Sequence, residues 1–206
     1  MLPCGALCLC SGLEDGVVMH HHVFETAFGF CGIAWTARGI SRFMLPVETT
    51  DPLEESFARY LPHSRASQPS GAVAEAVAAA QRYFAGERKD FTALPLDLGG
   101  VDAFSLAIYQ AAQRLAYGQT ATYGALAAQA GFPDAARQTG VALGRNPIPL
   151  IIPCHRIVAA GGKLGGFSAP GGTLTKRKML ALERAAPPET IPAQASFSFQ
   201  FNAIRD

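Results

Sequence analysis

Cys154, His155 and Arg156 stand consecutively within residues 146–158, Asn-Pro-Ile-Pro-Leu-Ile-Ile-Pro-Cys-His-Arg-Ile-Val. A thiol beside an imidazole and a guanidinium is a set that can make a nucleophile. Cationic neighbours lower a cysteine pKa, and the thiolate is the reactive form. The apolar run Leu150-Ile151-Ile152 is strand-like, so its end would bring the thiol to the rim of a core. Pro153 fixes its own φ and holds the preceding residue extended, which stiffens the approach. His155 is then the nearest candidate base. Against this, a lone cysteine among apolar residues is ordinarily a small buried hydrophobe, and neighbours in an extended chain point opposite ways.

The elements that must position these residues follow from periodicity and punctuation. Residues 22–46 hold three short strand-like runs separated by Gly29 and by Ala37-Arg38-Gly39, which predicts an antiparallel meander. A short helix is expected over 52–61, and 63–71, rich in Pro and Ser, reads as a loop. Val73, Val77, Ala80 and Phe84 repeat at helical spacing, with Gly86 as a stop. Residues 91–100 look like an extended connector. Phe104, Ile108, Ala111, Ala112 and Leu115 then share one helical face. Thr122 is placed to cap a helix over 123–130 that stops at Gly131, and Pro133 is placed to start a second one running to about Gly144. Two helices joined by so short a turn make a helix-turn-helix, though taken alone the pattern is more often an ordinary helical hairpin.

The second of these helices is rich in small residues, Ala135, Ala136, Gly140, Ala142 and Gly144, bracketed by Arg137 and Arg145. Small side chains let a helix backbone come close to another surface. Glycines inside a helix cost about 1 kcal/mol each relative to alanine, so something should compensate. Residues 161–168 form a glycine-rich loop without a phosphate-loop pattern. A last helix over 173–184, with Thr173 as cap and Leu174, Ala181 and Leu182 facing inward, ends near Glu183. A carboxylate there opposes the helix dipole; a partner such as His155 would explain it, but an exposed Glu at a frayed end is the ordinary reading. Residues 196–201 alternate and could add an edge strand.

Charge divides unevenly along the chain. Residues 1–102 carry seven Lys and Arg against twelve Asp and Glu, whereas 103–184 carry nine against two. Such asymmetry is a hint of a nucleic-acid partner, although a basic face without a partner is common; here the basic part is also the part with the thiol. No apolar run is long enough to span a bilayer, and the N-terminus has no basic leader of a secretory signal. Five cysteines, odd in number and unevenly spread, argue against a disulfide scaffold and for a reducing compartment. Cys4, Cys8 and Cys10 with His20–His22 match no zinc module in spacing, so no metal is assigned.

The word Pro-Cys-His-Arg-Ile-Val, with Asn146-Pro147 before it and Gly166-Phe167 after it, closely resembles the active-site signature of the O6-alkylguanine-DNA alkyltransferases, also called methylated-DNA–protein-cysteine methyltransferases. The resemblance covers residues 22–184, tightly from Gly118 to Glu183. It implies a small N-terminal α/β domain, an antiparallel sheet with helices, over 22–98. A mostly α-helical C-terminal domain with a helix-turn-helix and an active-site turn would follow over 99–185, leaving 1–21 as an extension and 186–206 as a tail. It further implies a monomer acting on double-stranded DNA that carries O6-alkylguanine, without cofactor or membrane, in the cytoplasm or the nucleus depending on the source. Some members carry a structural zinc in the first domain, but its ligands do not align here.

By the same resemblance, Cys154 takes the alkyl group in one irreversible step from a base flipped out through the minor groove. His155 acts as base through a water, Glu183 holds its tautomer, and Asn146 is a hinge between helix-turn-helix and active-site turn. Arg137 replaces the extruded base; Thr122, Tyr123, Gly140 and Arg145 face the DNA. Ile157, Phe167, Ser168 and Tyr123 form the base pocket, with the carbonyls of Cys154 and Ile157 and the Ser168 amide reading the base. Phe167 stands where the family usually has Tyr, Ala116 where it has Pro, and Gln138-Thr139 where it has Ala-Val. Two rivals come from other classes: a protein that recognises alkylated DNA without repairing it, whose relatives lack the nucleophile, and a Cys–His hydrolase with no nucleic acid involved.

Overall fold

The computed structural model describes residues 18–184. Cys4, Cys8, Cys10 and the alternating segment 196–201 lie outside the described residues. The meander is present: β1 (His20–Thr26), β2 (Gly29–Thr36) and β3 (Gly39–Val47) pair antiparallel in sequence order. Each strand turns alternate side chains inward, among them Phe24, Ile33, Ile40, Phe43 and Leu45. Helix α1 (Asp51–Tyr60) buries Leu53 and Phe57 against the outer face of the sheet.

The segment expected to be a plain loop contains β4 (Arg65–Ala66), which pairs parallel to β1 at His20 and His21. The sheet order is therefore β3-β2-β1-β4, a mixed sheet. Two side-chain hydrogen bonds hold this edge: His20 Nδ1 with Ser67 Oγ at 2.8 Å and His21 Nδ1 with Ser64 Oγ at 2.9 Å. The serines read as loop formers thus anchor a strand.

Helix α2 (Gly71–Phe84) packs Val73, Ala76, Val77, Ala80, Tyr83 and Phe84 into the main core. The expected connector is extended but not free. Its Pro95 carbonyl accepts from Ile40 N at 2.9 Å, and Asp97 N donates to Ile40 O at 2.8 Å, so it docks along β3. Gly39 permits this: its φ is +146°, and a Cβ there would lie 2.6 Å from the Pro95 oxygen.

Helix α3 (Ala103–Gln113) starts at Asp102, whose carboxylate accepts from Ser105 N. A two-residue strand β5 (Ala121–Thr122) leads into α4 (Tyr123–Gln129), and Thr122 caps it by accepting from Ala125 N at 3.1 Å. The partner helix α5 begins later than Pro133, spanning Ala136–Gly144. Asp134 between them has φ +69°, a left-handed residue that no helical turn accommodates, so Pro133 belongs to the turn. Tyr109 OH donates to Ala142 O at 2.8 Å and fastens α5 to α3.

Beyond Arg156, β6 (Ile157–Val158) pairs parallel with β5, joining the start of the helix pair to the end of the Cys-His-Arg word. The last helix, α6 (Gly172–Leu182), begins one residue before Thr173, with Gly171 in the left-handed conformation as its cap. Leu174 and Ala181 are exposed and Leu182 only half-buried; the inward face carries Lys176, Met179 and Leu180 instead. One continuous core links the sheet and α2 to α3, α5 and α6. No helix among the described residues is long and apolar enough to cross a membrane.

Candidate active site

The run Leu150-Ile151-Ile152 is buried as expected but is not a strand. Leu150 has φ +76°, and the chain turns tightly there. Asn146 drives the turn: its Nδ2 donates to Ile152 O at 2.9 Å and its Oδ1 accepts from Ile148 N at 3.0 Å. One side chain thereby satisfies a carbonyl and an amide that a strand would have paired with a neighbour. Beyond Pro153 the chain closes one turn of 3-10 helix, Cys154–Arg156. Because this turn is helical, His155 and Arg156 both reach the same acceptor rather than pointing to opposite faces.

That acceptor is Glu183. It is 3% exposed, not a frayed helix end. His155 Nε2 lies 2.8 Å from Oε1; Arg156 donates from Nη2 to Oε1 and from Nε to Oε2, each at 2.9 Å. Tyr83 OH donates to Oε1 at 2.9 Å and Gly118 N to Oε2 at 2.9 Å. Gly118 has φ +77°, and a Cβ there would come within 3.0 Å of the Glu183 carbonyl oxygen. Arg156 Nη1 also donates to Leu115 O at 2.6 Å.

Burial by itself pushes the Glu183 carboxyl up, but the hydrogen bonds from His155 and Arg156 outweigh it and hold it well below the usual carboxylate range. His155 is shifted down, first by burial, with Arg156 and Lys176 adding to it and Glu183 opposing. The imidazole is therefore neutral. With a carboxylate at Nε2, the hydrogen sits on Nε2 and the lone pair on Nδ1, and Nδ1 has no protein partner.

The expected lowering of the Cys154 pKa does not hold. Burial pushes this thiol up, and a hydrogen bond with Asn146 and the charge of Lys176 only partly offset that. The adjacent Arg156 does not provide the lowering because Glu183 already takes its charge. Lys176 is fully buried, its Nζ donating to the carbonyls of Ile157 and Gly166, and burial brings it down to about 8. Cys31 gives the contrast: also free, in the middle of the sheet core, its thiol is pushed up to about 12.

Cys154 opens into a cleft of about 800 Å³. Thr122, Tyr123, Arg137, Gly140, Phe167 and Ser168 line it, so the structure brings seven of the expected site residues together. His155, Glu183 and Asn146 do not line the cleft; the first two are buried and Asn146 is half-buried. Ile157 is fully buried rather than on the wall, and its carbonyl is held by Lys176. Arg145, at the C-terminal end of α5, is exposed and does not line the cleft. Tyr123 OH lies 3.4 Å from Gly166 O, and Ser168 Oγ donates to Gly144 O at 3.0 Å, tying the glycine-rich loop to both helices of the pair.

Three contributors were missed from sequence: Tyr83, Arg156 as a partner of Glu183, and Lys176. A signal existed for the last. Lys176, Met179, Leu180 and Glu183 follow i, i+3, i+4, i+7 spacing, which places two charged residues on a face that must be inward. Among the described residues no group of three or more His, Cys, Asp and Glu could hold a metal ion.

A family model described as "6-O-methylguanine DNA methyltransferase, DNA binding domain" matches residues 103–185. The methylated-DNA–protein-cysteine methyltransferase of Mycobacterium leprae is 46% identical over 115 residues, covering 56% of this chain and 67% of that protein. The crystal structure of Mycobacterium tuberculosis O6-methylguanine methyltransferase superposes with a TM-score of 0.66 at 35% identity, over 82% of this chain and 96% of that one. A structure of Mycobacterium tuberculosis OGT in complex with DNA matches with a TM-score of 0.66 at 34% identity, over 81% and 94%. Thiol, relay, cleft and likeness agree, and the chain belongs to the methylated-DNA–protein-cysteine methyltransferase family.

Proposed function

We propose that the protein repairs duplex DNA by moving the alkyl group of O6-alkylguanine irreversibly to its own Cys154, once per molecule. The observation that carries this reading is the placement of Cys154 on the wall of a cleft, next in the chain to a buried His155 anchored on the Glu183 carboxylate. An O6 substituent cannot be reached within the base stack, so the lesioned base is flipped out into the cleft. The small residues of α5 let its backbone approach the minor groove. Arg137, exposed on the cleft side of that helix, fills the gap left by the base. Arg145, away from the cleft, is left to contact phosphate. The relative solved in complex with DNA supports DNA as the partner.

In the cleft, Tyr123 and Phe167 flank the guanine, and the Ser168 amide and the Cys154 carbonyl read its edge. His155 Nδ1 takes the thiol proton through a water, with its tautomer fixed by Glu183. The thiolate attacks the alkyl carbon from the side opposite O6. The S–C bond forms as the C–O bond breaks, and the bonding pair leaves on guanine, which is reprotonated. A raised resting pKa for Cys154 fits a site that makes the thiolate when the base has docked. In this reading residues 22–98 are the scaffold and 99–185 the DNA-binding and transferring part.

Intact-protein mass after incubation with a duplex containing O6-methylguanine tests this, beside Cys154→Ala. A gain of one CH2 on the wild type alone, with guanine left in the DNA, is expected. Selective binding with no mass gain would move the protein to the recognition-only class, and repeated turnover of small esters or amides to the hydrolases.

A further inference from the structure

Tyr83 lies on α2, outside the stretch matched by the family model, yet it touches both members of the buried relay. Its hydroxyl donates to Glu183 Oε1, the same oxygen that faces His155 Nε2, and its ring meets the His155 ring edge-on with centroids 6.5 Å apart. The side chain is fully buried, and its other aromatic neighbours are Phe84, Phe91 and Tyr117. Packing alone would be served by phenylalanine. A buried hydroxyl needs an acceptor, and Glu183 is the one it has.

We infer that Tyr83 is a positioning residue for the proposed alkyl transfer, through which the N-terminal half sets the orientation and basicity of the His155–Glu183 pair. The inference rests on the function proposed above. By sharing Oε1 with His155, the hydroxyl fixes the rotation of the carboxylate. It also draws off part of the charge that would otherwise stabilise an imidazolium. The other groups facing the pair are Arg156, which occupies both carboxylate oxygens, the Gly118 amide, and the charge of Lys176 from α6; Tyr117, beside Tyr83, also feels the Glu183 charge while its hydroxyl donates to Leu182 O. Tyr83 is the one of these contributed by the N-terminal half.

Tyr83→Phe in the full chain is the test, read as the pH profile of single-turnover methyl transfer. Removing the donor leaves more charge for His155 and raises its affinity for a proton. The acid limb is then expected to move up by about 0.5 to 1 pH unit, the scale of one redistributed hydrogen bond. The plateau rate is expected to fall several-fold. Phe84→Leu, in the same core but off the relay, should lose stability without moving the limb. A 3-fluorotyrosine at position 83, a stronger donor in nearly the same volume, should move it down. His155 ring nitrogen shifts titrated by NMR read the same displacement without needing transfer. If the wild type transfers and Tyr83→Phe titrates identically to it by both readouts, the inference is wrong. If the wild type transfers nothing, the proposed function fails, while the NMR titration still decides on Tyr83.

Discussion

The two sides of the Cys154–Arg156 turn are built on opposite principles. On the cleft side stand a thiol, an exposed arginine, helix glycines and a glycine-rich loop. Behind the turn, one carboxylate accepts from four residues, Tyr83, Gly118, His155 and Arg156, drawn from three separate stretches of chain. Under the proposed function, a surface that receives a large partner is left incomplete, whereas a histidine that must keep one tautomer is held by an over-determined carboxylate. The difference predicts that damage behind the turn costs stability and transfer together, and damage in front costs transfer alone.

The largest effect is expected from Glu183→Gln. The amide is isosteric, but its nitrogen would set a donor against donors and leave Arg156 buried without a counter-charge. Breaking a buried pair from one side costs about 3–5 kcal/mol, so a large fall in Tm should accompany slower transfer. A variant that kept its Tm and lost only transfer would show that the hydrogen bonds to Glu183 are not structural, and the two sides of the turn would not differ in this way.

Arg137→Ala should do the reverse. Surface substitutions usually stay within about 0.5 kcal/mol of neutral, so Tm should hold. Transfer from duplex DNA should fall about tenfold to a hundredfold, since extruding a base costs a few kcal/mol that a stand-in helps offset. Transfer from a free O6-alkylguanine base, which needs no extrusion, should be unchanged. Equal losses on both substrates would remove Arg137 from the proposed role.

Acid titration of stability separates the sides more gently. The folded state refuses His155 a proton that the unfolded chain accepts below its ordinary value of 6.5. Unfolding therefore takes up a proton in that window, and stability falls as pH falls. Glu183 adds a second loss below 4.5, where the unfolded carboxyl protonates and the folded one remains ionised. Denaturant midpoints should decline through both windows, and His155→Asn should flatten the upper one. Arg137→Ala should leave the curve where it is.

What could be read from sequence tracks the same division. The front was legible because its signals are local: a six-residue word around Cys154, small residues at helical spacing, a run of glycines. The relay behind it was legible only in part. His155 and Glu183 could be named, but Tyr83 meets Glu183 across 100 residues of chain, and nothing in a helix face of Val73, Val77, Ala80 and Phe84 distinguishes a tyrosine with a buried acceptor from one reaching solvent. The expected strand before Cys154 failed for a related reason: an apolar run reports burial, while its shape was decided by hydrogen bonds from Asn146. Charge-sequence proximity misled at the thiol, where Arg156 is adjacent in the chain but electrostatically committed to Glu183.

The smallest expected effect is also the one most specific to the open side. Gly140 sits inside α5 on the cleft wall, and a Cβ there would meet only the Tyr123 ring, at an ordinary 3.8 Å. Nothing in the protein therefore requires glycine. Gly140→Ala should raise stability by about 0.5–1 kcal/mol, the usual gain from removing a glycine inside a helix. If the position is kept bare for a DNA backbone, the same methyl should weaken binding to duplex while the mass gain from a free alkylated base is unaffected. A variant both more stable and equally tight on DNA would mean that α5 does not make the close approach, and the small residues of its exposed face would need another account.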